Sequence, residues 1–296
     1  MVSKEVFVTK RDGSKELLDI NKIHKVVQWA CEGVEGVSTS EVESQAKLKF
    51  FNGMKTSDLH EALVNAAHEL ISEYAYNYDL VAGRLAMYDV RKKVYGKFEP
   101  NHITDIVRTN VQQGWYDPEI ESLYTSEQWN QLNDYIKHER DFDFRIAGVK
   151  EWRSKYLVKN RKTGEYKESP QVAYMLVAAV LMHKYVKDEG IKIVLDYYDA
   201  ISTGDITLPS PVLAGVRTPT RQFASCTVVE CGDSLNSITA TVDALVKYAS
   251  RKAGLGVGVY NLRAEKQKVK GGAVTTTGPI PFTQLMQSAV LSCSQG

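Results

Sequence analysis

The sequence predicts a mixed α+β chain in three stretches. Three observations carry this. Two short apolar segments, Val6–Thr9 and Leu17–Leu18, flank an Asp12-Gly13 pair, and helical periodicity follows them. Residues 98–205 then read as helix after helix. From Ile206 the character changes: Ile206–Leu235 holds three of the eight prolines and two of the four cysteines, and short strand signals alternate with helical ones.

Composition narrows the classes. Apolar residues make up 43% and charged residues 25%, the balance of a globular chain long enough for two or three domains. A net charge of +1 gives no global pull toward nucleic acid or membrane, and neither is expected as a partner. No C-x-x-C pair occurs, which argues against structural zinc and a secreted disulfide scaffold, and no metal ligands are assigned. The first residues lack an apolar core, so no signal peptide is expected. The longest apolar run, Val172–Met182, is far short of the roughly 20 residues that span a bilayer. A reducing cytoplasm is the expected compartment.

In chain order, Asp12-Gly13 supplies the positive-φ position of a β-hairpin. Ile23, Val26, Val27, Ala30, Cys31 and Val34 form one buried helix face, with Cys31 a small core residue. A second helix is expected over Glu41–Phe50. A third opens at Lys55–Glu61, with Asp58 and Glu61 in capping-box spacing and Thr56 or Ser57 as alternative caps. A fourth spans Asp79–Val94 and ends on Arg91, Lys92 and Lys93, cations suited to a helix C-terminus. A hairpin lysine, helix-start hydroxyls and these cations together suit a triphosphate; the alternative is a solvated surface.

In the middle stretch a helix ends over Asn110–Gly114, and Thr125-Ser126-Glu127 caps the next, which carries Trp129, Leu132 and Ile136. Tyr156–Val158, the Lys162-Thr163-Gly164 turn and Tyr166 read as a second hairpin. Ser169-Pro170 opens a helix that is apolar nearly all round, hence buried. Another helix spans Ile191–Ile201. His102, His138 and His183 are read as surface or packing residues.

Leu208–Pro211 is expected to be extended and Val216–Gln222 a polar loop. Cys226 then lies on a strand over Ala224–Val229, where it is either buried structure or a nucleophile. A helix follows over Ser237–Arg251, with Asn236-Ser237 as its start. The run Gly254-Leu255-Gly256-Val257-Gly258 follows a helix and leads into a strand. That is the reverse of the dinucleotide-binding order, so close backbone approach is the expected role of its glycines. Arg263, Lys266, Lys268 and Lys270, closing on Gly271-Gly272, suit phosphate as well as they suit a solvated loop. A last helix is expected over Pro281–Leu291.

Two resemblances stand beside these readings. VTKRDGS, NKIHKVVQWA, KTSDLHEALV and GRLAMYDVRKKVYG resemble the ATP-cone regulatory domain at the N-terminus of many ribonucleotide reductases. The resemblance implies that Lys10, the segment Glu16, Leu17, Leu18, Asp19, Ile20, Asn21 and Lys22, and Thr56, His60 and Lys92 contact an effector nucleotide. Asp89 stands where that family often has a histidine, and an acid there would repel phosphate. LPSPVLAGVRTPTRQFASCTVVECGDSL, RKAGLGVGV, KGG and SCSQG resemble the start of the catalytic barrel of class I ribonucleotide reductase large subunits.

The resemblance implies an ATP-cone over 1–97, a helical region over 98–205, and the first part of a ten-stranded α/β barrel over 206–296. It implies reduction of ribonucleoside diphosphates to deoxyribonucleotides for DNA synthesis. The radical comes from a metal-containing small (beta) subunit, ATP and deoxynucleoside triphosphates act as allosteric effectors with Mg, and no cofactor is covalently bound. Thioredoxin or glutaredoxin is the implied reductant, and the large subunit is expected to form homo-oligomers. Cys226 matches one thiol of a reducing pair. Ser210, Ser225 and Gly254 match substrate contacts, Ser210 replacing a common threonine. Asp233, Ser234, Leu235, Arg263 and Lys270 match the specificity-effector site, where Lys270 replaces a frequent arginine and loses its bidentate fork. Cys293, Ser294, Gln295 and Gly296 match the substrate-specificity loop.

A thiol that closes a disulfide needs its partner within about 7 Å, Cα to Cα. Cys231, five residues on, faces the other side of a strand and is displaced by roughly 16 Å, so it is not the expected partner. The radical-carrying cysteine, its carboxylate and the C-terminal cysteine tail of the family are not in this sequence. The expectation is a divided large subunit that a second polypeptide completes, inactive alone; an artificial truncation is the other reading. A non-catalytic nucleotide-binding module or relic is the alternative function.

Overall fold

A computed structural model describes residues 6–10, 13–220, 222–251 and 253–293. Arg11 and Asp12 of the predicted hairpin, and Ser294, Gln295 and Gly296 of the predicted specificity loop, lie outside the described residues. The chain folds as two compact units, Met1–Arg221 and Gln222–Gly296.

The first unit opens with β1 (Phe7–Thr9) and β2 (Lys15–Leu17), an antiparallel pair with Val8 opposite Glu16. Gly13 takes φ +85°, the left-handed conformation expected of it. Then come α1 (Ile20–Cys31) and α2 (Thr39–Lys47). Asp19 caps α1, its carboxylate accepting from the backbone of Asn21 at 2.9 Å. β3 (Met54–Lys55) pairs parallel with β1, so the sheet order is β2-β1-β3. Two residues are too few to show an alternation, and the sequence reading missed this strand. α3 (Thr56–Glu69) follows directly, with no side-chain cap; Asp58 lies in its first turn, so the expected capping box is not formed. α4 (Tyr78–Tyr95) packs on α3 and ends on Gly96 at φ +70°. A Cβ on Gly83 would lie 2.0 Å from the Phe144 carbonyl oxygen, so this interior glycine permits α4 to meet the backbone at Phe144–Arg145. Cys31 is half-buried against the core, and burial pushes its thiol pKa up.

The middle stretch is helical, as expected: α5 (Ile103–Gln112), α6 (Ser126–Tyr135) and α7 (Ile146–Glu151) precede α8 (Pro170–Met182), α9 (Val186–Glu189) and α10 (Lys192–Ser202). Thr125 and Gln128 form the full capping box of α6. α8 is buried and packs on α10. Two expectations are corrected here, one of them only in its bounds. Residues Trp152–Tyr156 form a π-turn, so Tyr156 is not in the second hairpin. The hairpin itself forms in short form, Lys159 bridging Tyr166 antiparallel, with the Lys167 N–H donating to the Val158 carbonyl and the Asn160 N–H to that of Glu165, both at 2.9 Å, and Gly164 at φ +74° in its turn. The segment expected to be extended instead opens α11 (Ser210–Gly215), because Pro211 fits a first helical turn, where no N–H is needed.

In the second unit β4 (Cys226–Glu230), α12 (Leu235–Ala249) and β5 (Gly254–Gly258) form a β-α-β unit with parallel strands. Thus the glycine run is itself the strand. Ser234, not Asn236-Ser237, caps α12, accepting from the Ser237 backbone at 3.1 Å. β6 (Lys268–Val269) and β7 (Val274–Thr275) make a small hairpin, and α13 (Pro279–Cys293) packs on α12. Leu255 and Val257 of β5 pack on a core of Cys231, Ile238, Leu245 and Met286. The period of two leaves Cys226, Val228 and Glu230 on the other face of β4, and Val228 is 85% exposed.

One polar pair ties distant parts of the first unit together. Arg217 and Glu168 are both fully buried. Arg217 Nε donates to both Glu168 oxygens, at 3.0 and 2.8 Å, and Nη2 also reaches Glu168. Nη1 donates to the Leu213 carbonyl at 2.5 Å and Nη2 to that of Tyr156 at 2.8 Å. Glu168 also accepts from the Val158 backbone and the Tyr116 hydroxyl, and the Asp117 N–H donates to the Arg217 carbonyl. Burial, reinforced by the Glu168 charge, pushes Tyr116 well above the ordinary phenol range. Removing one member of such a pair strands the other charge. Arg217→Met is therefore expected to lower the urea-unfolding free energy by about 3–5 kcal/mol, with Arg217→Met/Glu168→Met recovering most of it; a loss below about 1 kcal/mol in the single variant contradicts this.

Candidate functional site

The first candidate is a cavity of about 410 Å³ lined by Lys10, Glu16, Thr56, His60, Tyr88, Asp89, Lys92 and Gly96. The hairpin supplies Lys10 and Glu16, the start of α3 supplies Thr56 and His60, and the second half of α4 supplies Tyr88, Asp89 and Lys92. His60 Nε2 stands 2.6 Å from the Leu85 carbonyl, which only accepts, so this nitrogen carries the proton. The imidazole stacks on Tyr88 at 5.4 Å between centroids, 14° from parallel, and Lys92 Nζ sits 5.7 Å from the same ring.

Each lining carboxylate is matched by a lysine. Lys10 Nζ is 2.6 Å from Glu16 and Lys22 Nζ is 3.9 Å from it. Asp89, 3% exposed, pairs with Lys93 at 2.5 Å. A cavity of about 140 Å³ shares Glu16, Thr56 and His60 and adds an apolar wall of Val8, Leu18, Ile23, Val26, Leu59 and Leu63, with Asp19 and Lys22 at its margin. A polar chamber with cations and a hydroxyl beside an apolar slot has the chemistry for a triphosphate and a base.

Eight of the eleven residues named for this site line one or both cavities; Leu17, Ile20 and Asn21 do not, and Leu17 and Ile20 are 51% and 57% exposed. Tyr88 was missed. Its signal was present: it lies one helical turn before Lys92, on the same face of α4. Apart from Leu18, the apolar wall was missed because its residues read equally well as core.

In the same unit Ser210 is exposed at the first turn of α11, its Oγ 3.4 Å from the Tyr156 hydroxyl. In the second unit Cys226 is an exposed free thiol opposite Gly254. The Gly254 N–H donates to the Ser225 carbonyl at 2.7 Å. A Cβ on Gly254 would meet that oxygen at 3.3 Å and Cys226 Sγ at 3.7 Å, so the glycine keeps the space beside the thiol open. Ser225 Oγ is 3.8 Å from the same sulfur. Cys231 is a buried free thiol in the second core. Cys293 ends α13.

Asp233 and Arg263 form a third constellation. The Arg263 N–H donates to Asp233 Oδ1 at 3.2 Å and its Nε to Oδ2 at 2.6 Å. The bond from the Arg263 N–H, with the guanidinium behind it, holds the Asp233 carboxyl below the usual range. Leu235 is 68% exposed at the start of α12. Lys270, Gly271 and Gly272 take φ of 50°, 68° and 98° in succession. Glu230, held by Asn261 at 2.7 Å, joins the same loop to β4, a link the sequence reading missed. Among the described residues no cluster of three His, Cys, Asp or Glu could hold a metal ion, and no helix is long and apolar enough to cross a membrane.

Comparison with known proteins gives these sites a context. Family models match as the ATP cone domain over residues 6–93, the ribonucleotide reductase all-alpha domain over 142–221 and the ribonucleotide reductase barrel domain over 224–296. The chain is 48% identical over 295 residues to ribonucleoside-diphosphate reductase 1 subunit alpha of Escherichia coli, covering 100% of this chain and 39% of that protein. It is 47% identical to the subunit alpha of Haemophilus influenzae, again over 39% of its length, and 43% identical to that of Enterobacteria phage T4, over 98% of this chain and 38% of the relative. The chain thus spans about two-fifths of the length of the curated relatives it matches. Cone, all-alpha region and barrel start occur here in one order and at high identity, and the chain belongs to the ribonucleoside-diphosphate reductase alpha-subunit family, of which it represents the N-terminal portion.

Proposed function

We propose that this chain is the N-terminal part of a ribonucleoside-diphosphate reductase large subunit, contributing one reducing thiol and two effector sites to the reduction of ribonucleoside diphosphates. The regions 1–97, 98–205 and 206–296 act respectively as regulatory cone, helical scaffold and first barrel segment. The observation that carries the reading is the exposed Cys226 thiol on β4 beside Gly254, in a chain similar to ribonucleoside-diphosphate reductase alpha subunits.

Cys226 supplies reducing equivalents and ends in a disulfide with a thiol from the part of the large subunit beyond this chain; the ribose loses its 2′-hydroxyl as water. A cysteine radical, generated through the metal-containing small subunit, opens the reaction by removing the 3′ hydrogen. Ser210, Ser225 and Gly254 contact substrate, and thioredoxin or glutaredoxin regenerates the dithiol. Asp233, Ser234, Leu235, Arg263 and Lys270 hold the specificity effector, and Cys293 leads into the specificity loop. Further partners are the rest of the large subunit, the small subunit and a second large subunit.

The cone binds ATP or a deoxynucleoside triphosphate. Lys10, Thr56, His60 and Lys92 take the phosphates, and the apolar slot under Leu18 and Ile23 takes the base. The triphosphate displaces Glu16 as the partner of Lys10. Magnesium arrives on the phosphates and needs no protein cage. Asp89 places a carboxylate on the phosphate side, offset by Lys93.

Mixing this chain with the remainder of the large subunit, the small subunit and a dithiol is expected to give diphosphate reduction. Absence of turnover with all components present would favour a non-catalytic nucleotide-binding module. In that assembly Cys226→Ser is expected to abolish multiple turnover while nucleotide binding persists, and full dithiol-supported activity in the variant contradicts the assignment. Inhibition by dATP is expected to be weak or absent because of Asp89, and strong inhibition at low dATP contradicts that part.

A further inference from the structure

The π-turn at Trp152–Tyr156 is a departure from regular helical geometry that reaches a candidate substrate residue. Such turns recur at functional sites. Here the turn brings the Tyr156 hydroxyl to 3.4 Å from Ser210 Oγ, at the protein surface. We infer that Tyr156 is a positioning residue for Ser210: it donates its phenolic proton to Ser210 Oγ and leaves the serine O–H aimed at the substrate. This rests on the reading of Ser210 as a substrate contact.

The direction of the bond follows from the chemistry of the two groups. A phenol is the more acidic hydroxyl and the better donor, whereas a serine hydroxyl rotates to suit its partner. The phosphate oxygens of a nucleoside diphosphate only accept. With Tyr156 donating, the serine proton is available to such an acceptor; with the bond reversed it is not. A separation of 3.4 Å is long for O–H···O, and a bound anion that polarises the serine is expected to shorten it.

Both hydroxyls are held from behind. The Tyr156 ring packs edge-on against Trp152, which is itself buried against Tyr174. Arg217 donates to the carbonyl of Tyr156 and to that of Leu213 in α11, so one buried guanidinium fixes the backbone on both sides of the pair. A serine needs this help. It lacks the β-branch that restricts a threonine to few χ1 rotamers, so at position 210 an external partner sets the rotamer instead.

The test uses the assembly of this chain with the remainder of the large subunit and the small subunit, and CDP as the probe, with CDP binding measured alongside turnover. Tyr156→Phe keeps the ring and its packing, and is expected to raise the KM for CDP and its Kd by about 3- to 10-fold, the loss of one ordinary hydrogen bond, with a much smaller change in kcat. Ser210→Thr in the Tyr156→Phe background is expected to restore most of the affinity, which a merely structural role for Tyr156 would not produce. Unchanged KM and Kd in Tyr156→Phe, or no rescue by Ser210→Thr, overturns the inference. Ser210→Ala separates the two levels. If it leaves CDP binding unchanged, or if the wild-type assembly binds no CDP, the reading of Ser210 itself fails. If it weakens binding while Tyr156→Phe does not, only the role of Tyr156 fails.

Discussion

The buried Arg217–Glu168 pair is the constraint on which the architecture of the first unit depends. It closes contacts between residues 49 positions apart, and its secondary bonds gather the Tyr116–Asp117 turn, the π-turn, the Val158 backbone and the end of α11 around one guanidinium. An apolar cluster alone would hold these segments together without fixing their register. An arginine with five directed donors, buried where water cannot substitute, leaves few alternatives. Ser210 inherits its position from that arrangement, since the helix that carries it is pinned at Leu213.

A second buried pair works between the cone and the helical stretch. Arg91 on α4 donates to Asp141 at 3.2 and 3.0 Å, and Asp141 also accepts from the Gln171 N–H at the start of α8. Burial pushes the Asp141 carboxyl up to about 6 even against the pull of Arg91. Arg91 is the neighbour of Lys92, so α4 faces the scaffold with one residue and the cavity lined by Lys10 and Thr56 with the next. The aromatic packing of Tyr88, Trp29, Phe98 and Phe142 fills the space between those two faces.

Local signals in the sequence were sufficient for much of this. The hairpin with its Gly13 turn, the periodic face of α1, the capping box of α6 and the apolar α8 all follow from neighbours within a few residues. The α3 cap and the Ser210-Pro211 helix start were misread from local signals, but the other misreadings depended on distant partners. β3 is a strand only because β1 lies beside it, the π-turn forms where Arg217 takes the Tyr156 carbonyl, and Ser234 outcompetes Ser237 as a cap because the Ser237 hydroxyl accepts from the Gly232 N–H instead. The same division holds at the cone site. Lys10, Glu16, Thr56, His60 and Lys92 came from the resemblance and line one cavity, whereas Tyr88 and the apolar wall beyond Leu18 needed the fold to bring α1, α3 and α4 together. The Asp233–Arg263 pair, 30 residues apart, likewise became visible as a pair only in the structure.

The central claim is that Cys226 is a redox-active thiol rather than a small strand residue, and it is tested most directly by its own oxidation state after one turnover. The reconstituted enzyme, pre-reduced and stripped of external reductant, is given ribonucleoside diphosphate, quenched, and its cysteines are mapped by differential alkylation and mass spectrometry. The account predicts that Cys226 appears in a disulfide with a thiol from the remainder of the large subunit, in proportion to the deoxynucleotide formed, while Cys31 and Cys231 stay reduced. Deoxynucleotide formation with Cys226 still alkylated as a free thiol would contradict it.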